Sequence, residues 1–191
     1  MEFSDLVKKR RSTHFFIDEP VSDEDLNYIL EAARWAPSAG NSQPWQFIIA
    51  RKPENIQKIW ETTKGITYNI TKNKTVQINP QNFIKKASVV IIVITDPTAY
   101  RGKQASVKSD LYSIQDSANA AMSLLLAAAN RGLGACWVGM FQEERLRQAL
   151  NIPSHMRPVA IIPVGHTKSQ ERPRSRKPLK QLIHFETYQQ R

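Results

Sequence analysis

Two clusters in the chain carry the same chemistry. Arg10-Arg11-Ser12 sets two guanidinium groups beside a hydroxyl, and Arg174-Ser175-Arg176 repeats the set near the other end. Guanidinium forks give bidentate, charge-assisted hydrogen bonds to phosphate, and serine adds a neutral donor. A basic pair at a helix end also complements the helix dipole, and a basic tail is also a solvated surface, so the pattern leaves both readings open. Between the clusters runs Ala36-Pro37-Ser38-Ala39-Gly40-Asn41-Ser42-Gln43-Pro44-Trp45, which has no charged residue. Its prolines restrict the backbone, and its small residues let main-chain N–H and C=O groups approach a flat ligand with polar edges.

Other chemistries find little support. His14, His155, His166 and His184 are scattered, with no metal-ligand spacing to one another or to a carboxylate, so no metal site is expected. Cys136, the single cysteine, sits in Ala135-Cys136-Trp137-Val138, which reads as a buried structural thiol rather than a nucleophile. Ser38 and Ser42 lack the Gly-x-Ser-x-Gly elbow of hydrolases. The Gly132-Leu133-Gly134 pair follows a helix rather than a strand, which makes it a poor dinucleotide fingerprint, and no P-loop is present. With no nucleophile, metal cluster or acid–base pair, an enzyme of this sequence needs an organic cofactor for the hard chemistry.

These residues must be held by interleaved helices and strands. Phe3 to Arg11 reads as a short helix with Ser4 as N-cap. Ser22 with Asp25 opens a second helix, which breaks at Pro37. Gln46 to Arg51 is strand-like and Pro53 to Thr62 helical. Lys64 to Asn82 is polar and reads as a mobile surface excursion over the site, and a helical turn follows at Ile84 to Ala87. Val89 to Thr95 is apolar on both faces and should be central in a sheet. Ser113 to Arg131 is a helix apolar nearly all round, which implies burial on all sides, partly by a second subunit. Gly132 and Gly134 are expected as its C-terminal caps. Ala135 to Val138 and Val159 to Val164 resume strand character, with a short helix over Glu143 to Leu150. The tail from Thr167 is basic, and Leu179, Leu182, Ile183 and Phe185 give it something apolar to dock with.

The 191 residues are the size of one domain, read here as 1–191. A single cysteine allows no internal disulfide, and the N-terminus shows no apolar signal core, so a reduced cytoplasmic setting is expected. The longest apolar run, Val89 to Ile94, is too short to cross a membrane. The net charge of +10 suits a lysine-rich surface, a nucleic-acid partner or phosphate binding by a few residues. The basic residues are not interleaved with aromatics in a nucleic-acid module, so neither nucleic acid nor membrane is expected as a partner.

Five motifs occur in a recognisable order. They are Arg10-Arg11-Ser12, Pro37 to Trp45, Gly132-Leu133-Gly134-Ala135-Cys136-Trp137-Val138-Gly139, Pro163-Val164-Gly165-His166, and Arg174-Ser175-Arg176-Lys177-Pro178-Leu179. The chain resembles a short member of the nitroreductase-like flavoprotein family over almost its full length. The resemblance implies an α+β fold, a central, mainly antiparallel sheet flanked by helices, in an intertwined homodimer with FMN at the interface. It implies that Arg10, Arg11 and Ser12 hold the phosphate and ribityl end, joined by Arg174 and Arg176. Pro37, Ser38, Ala39 and Asn41 would line the flavin, partly from the other subunit. Trp137, Val138 and Gly139 would lie along the ring, and Gly165 would let the chain pass close to the cofactor. His14 stands where family members commonly carry Arg or Lys, and a polar contact to the flavin would come from Asn79, Gln81 or Asn82.

The activity implied is FMN-dependent oxidation of NADH or NADPH, with ping-pong transfer of hydride to a nitroaromatic, a quinone or a similar small acceptor. Lys64, Lys72, Lys74 and Arg101 are candidates to meet the extra phosphate of NADPH. Alternatives are a specialised flavoprotein of the same fold, either a reductive dehalogenase or a flavin-cleaving enzyme, and a non-catalytic flavin- or nucleic-acid-binding protein.

Overall fold

The computed structural model describes residues 2–71, 74–101, 109–168 and 174–188. Its centre is β4, Val89–Thr95, whose seven residues are all buried. Its two faces serve two cores. Val89, Ile91 and Val93 point to one core, while Val90, Ile92 and Ile94 point to the other. A strand buried on both faces needs a continuous β-branched run, and that is what the sequence supplies.

β4 lies between β1 (Trp45–Ala50) and β6 (Arg157–Gly165), antiparallel to both, and β5 (Gly134–Ala135) completes the order β1-β4-β6-β5. Trp45 pairs with Thr95, and Val89 with Val164. Helices α2 (Asp23–Arg34) and α4 (Ser109–Asn130) contribute Ile29, Ala33, Leu124 and Ala128 to the core on one face. Helices α3 (Pro53–Glu61) and α5 (Glu143–Ala149) contribute Ile59 and Leu146 to the other. The result is the α+β arrangement that the family resemblance implies, an antiparallel sheet flanked by helices.

Local signals explain the boundaries. The Ser22 side chain accepts the Asp25 N–H at 3.0 Å and caps α2. Gly132 has φ +75°, and the Leu133 N–H donates to Ala128 O at 2.9 Å, so α4 ends in a left-handed cap.

Several expectations are corrected. The first helix, α1, spans Phe3–Lys9 with Glu2 as N-cap, so Ser4 lies inside it and Arg10 beyond it. The polar excursion Lys64 to Asn82 contains an antiparallel pair that was not expected, β2 (Thr67–Thr71) and β3 (Lys74–Gln77). Gly134 is no helix cap. It is a strand residue opposite Gly165. Of the stretch read as 135–138 only Ala135 lies in a strand, together with Gly134 in β5, and Val138 adds a single bridge to Ile161. The expectation that a second subunit covers part of α4 is not contradicted, since this chain alone leaves Leu111 and Met122 49% and 40% exposed. In the tail, Leu179, Leu182 and Phe185 are exposed on this chain, while Ile183 is half-buried.

Candidate functional site

Three of the five motifs meet at the β5 edge of the sheet. Beyond α1 the chain becomes extended, and Ser12 makes a parallel bridge to Ala135. The Thr13 N–H donates to Ala135 O at 3.0 Å. Gly134 and Ala135 pair in turn with Gly165 and Val164, and the Ile17 N–H donates to His166 O at 2.9 Å. Residues 10–17, 132–136 and 163–166 are thus tied by backbone hydrogen bonds.

A groove of about 430 Å³ opens where they meet. Lys9, Arg10, Arg11 and Thr13 stand on one side, the end of α4 and residues 132–135 on the other. Its lining holds three cationic side chains and no carboxylate. The Arg11 guanidinium donates to Lys8 O and Arg10 O, so part of it does complement the helix end. Its Nε is buried with no hydrogen-bond partner. Arg174 and Arg176 are exposed, and Arg176 donates to the Arg174 and Ser175 carbonyls.

The uncharged loop after α2 is shaped by its own side chains. Gly40, Asn41 and Gln43 have φ of 58°, 52° and 47°. For asparagine and glutamine these values are uncommon and need support from neighbours. The Ser38 hydroxyl accepts the Gln43 N–H at 3.0 Å, and the Ser42 hydroxyl donates to Ala39 O at 2.8 Å. At the loop entrance, exposed Trp35 donates through Nε1 to Glu31 at 2.8 Å. Hydrogen bonds from Arg34, then Trp35, pull the Glu31 carboxyl down to about 2.

This loop does not line the Arg10 groove. Gly40, Asn41 and Ser42 face Ala99 and Arg101 across a separate groove of about 330 Å³. Lys64 instead stacks over the Trp60 ring, with its Nζ 4.0 Å from the ring centroid. Lys72 and the side chain of Lys74 lie outside the described residues.

Sequence reasoning missed Asp116 and Tyr100. Asp116 is a buried carboxylate on α4, and its Oδ2 accepts the Ala39 N–H at 2.9 Å and the Tyr100 hydroxyl at 2.8 Å. Burial pushes the Tyr100 phenol above its ordinary range, and the hydrogen bond to Asp116 adds to the shift. The only available signal was a lone acid within a helix otherwise read as apolar.

His14 lies with Nε2 3.5 Å from Cys136 Sγ, its ring tilted against Phe83 at a centroid distance of 4.6 Å. Phe83 therefore brings the segment carrying Asn79, Gln81 and Asn82 beside His14. Gln81 donates through its N–H to Thr63 Oγ1 at 3.3 Å. Cys136 and Val138 are buried, while Trp137 is 37% exposed. The space beside Gly165 is occupied from within: an added Cβ would lie 3.0 Å from the Phe16 ring and 3.3 Å from Ser88 N.

The residues at the sheet edge fit a phosphate-bearing organic group. Three cations without a carboxylate and one buried, unpaired guanidinium N–H supply charge and donors. Among the described residues no cluster of His, Cys, Asp or Glu suits a metal ion, and no helix is long and apolar enough to cross a membrane.

Residues 7–166 match the model of the nitroreductase family. A relative from Archaeoglobus fulgidus, named "Putative NADH dehydrogenase/NAD(P)H nitroreductase", is 34% identical over 170 residues, covering 87% of this chain and 86% of its own. Iodotyrosine deiodinase 1 of Rattus norvegicus is 31% identical over 180 residues, covering 86% of this chain and 62% of its own. The crystal structure of "a putative nitroreductase in complex with fmn" from Desulfovibrio desulfuricans superimposes with a TM-score of 0.77 at 29% identity, covering 97% of each chain. The chain belongs to the nitroreductase family.

Proposed function

We propose that this nitroreductase-family chain is an FMN-dependent oxidoreductase that takes electrons from NADH or NADPH and reduces nitroaromatics, quinones or similar small acceptors. The carrying observation is the cationic, carboxylate-free groove where residues 9–13 meet 132–135. The structure of a relative in complex with FMN supports the choice of flavin. Bound there, FMN would supply the hydride chemistry for which the chain has no side chain of its own.

Arg10, Arg11 and Ser12 would hold the phosphate and ribityl end, with Arg174 and Arg176 closing on the same charge. Trp137, Val138 and Gly139 follow directly on the strand that anchors Ser12, which suits a place along the flavin ring. His14 would face its pyrimidine side, next to the segment holding Asn79, Gln81 and Asn82. Pro37, Ser38, Ala39 and Asn41 do not line the Arg10 groove, and Asn41 lines a different one, so in a homodimer this loop would reach the flavin from the second subunit. The exposed Leu111 and Met122 on α4, with Leu179, Leu182 and Phe185 in the tail, supply apolar surface for that association.

The deiodinase relative favours a second reading, reductive dehalogenation of a halogenated aromatic. Steady-state NADH and NADPH oxidation with a nitroaromatic, a quinone and an iodinated tyrosine, with iodide release measured in parallel, separates the two. Turnover of none of the three would remove both readings.

A further inference from the structure

We infer that Asp116 is a positioning residue that ties together the two walls of the loop groove, so that the flavin-facing loop keeps its shape. This rests on the reading of Pro37 to Asn41 as flavin-facing. One wall is Gly40 to Ser42 and the other is Ala99 and Arg101. Each wall adjoins a residue that donates to the same oxygen. The Ala39 N–H comes from the first wall and the Tyr100 hydroxyl from the second, and both reach Asp116 Oδ2, at 2.9 and 2.8 Å.

The tie is anchored in a rigid part of the fold. Asp116 is 6% exposed on α4, next to fully buried Ser117. One turn earlier, Ser113 O accepts the buried Thr95 hydroxyl at 2.9 Å, which pins the helix to the end of β4. Asp96 then caps the 97–99 turn by accepting the Thr98 N–H at 2.8 Å, delivering Tyr100 to the carboxylate. A buried carboxylate receiving two donors is costly to remove, because both donors are left without a partner. The loop needs such support, since Asn41 and Gln43 hold left-handed backbone.

An apolar helix face would not require an acid here. The core around Ala120, Ala121 and Leu124 is built from small and aliphatic side chains. Asp116 is instead placed where the loop and the 97–101 segment both come within hydrogen-bond reach.

The test compares Asp116→Ala, Asp116→Asn and Tyr100→Phe with the unchanged chain, using FMN titration, KM against kcat, and hydrogen–deuterium exchange of peptides covering 38–43. Asp116→Ala is expected to speed exchange in 38–43 and to weaken FMN binding about tenfold or more. Asp116→Asn retains an acceptor oxygen and should restore FMN affinity to within about threefold of the unchanged chain. If Asp116→Ala does not fold, Tyr100→Phe carries the test, with faster exchange in 38–43 and a higher KM at nearly unchanged kcat. Exchange in 38–43 that is the same in all four proteins overturns the inference. Faster exchange in the variants of a chain that binds no FMN supports the tie and instead contradicts the flavin reading.

Discussion

Thr13 stands directly over Gly134. A Cβ added at Gly134 would lie 2.6 Å from Thr13 Cγ2 and 2.9 Å from both its Cβ and Oγ1. Thr13 is buried and tied by its N–H to Ala135 O, so it cannot move away without releasing the segment that follows Arg10 and Arg11. Gly134→Ala is therefore expected to cost about 1–3 kcal/mol of stability, the usual penalty for overpacking. Urea unfolding measures that loss, and FMN titration should show weaker binding in the same variant.

Arg10 and Arg11 should not be equivalent. The Arg11 guanidinium already donates to two carbonyls of its own helix end, whereas Arg10 has no such ties among the described residues. Removing one charge-assisted partner costs about 1.5–3 kcal/mol, so Arg10→Ala should weaken FMN binding about 10- to 100-fold. Arg11→Ala should do so by less. Both losses should shrink as salt is raised in a fluorescence titration.

Tyr100 gives a pH signature. Burial, then Asp116, raises its phenol above the ordinary value, so the folded chain holds this proton more tightly than the unfolded chain does. The associated stability is complete below the unfolded value of about 10 and is lost as pH rises above it. In an alkaline absorbance titration one of the five tyrosines should ionise later than the rest, and Tyr100→Phe should abolish the late phase.

At the start of α2 the expected effect is on stability alone. Ser22→Ala removes the acceptor for the Asp25 N–H and should cost about 1 kcal/mol, read by thermal melting. FMN affinity should not change, because Ser22 touches neither groove.

Much of the scaffold was legible because it rests on local patterns. The β-branched run of Val89–Thr95, the Ser22 cap and the helical spacing of α2 follow from neighbours in sequence. Thr67–Thr71 and Lys74–Gln77 were hidden because lysine, asparagine and threonine masked the alternation of a hairpin. Gly134 was misread as a cap since its need for a missing side chain comes from Thr13, far away in the chain. The convergence of 10–13, 134–135 and 165 came through motif order, not through any local rule. Asp116 was passed over because its two donors arrive from distant loops.

If the Arg10 groove serves a flavin that NAD(P)H reduces, the purified chain should carry both the cofactor and its redox response. The most direct measurement is the visible spectrum of the purified chain after exposure to FMN, followed by anaerobic titration with NADH and NADPH. The expected result is a yellow protein with FMN bound in proportion to the chain, bleached by a stoichiometric amount of at least one of the two donors. A colourless protein that takes up no FMN, or bound FMN that neither donor bleaches, would contradict it.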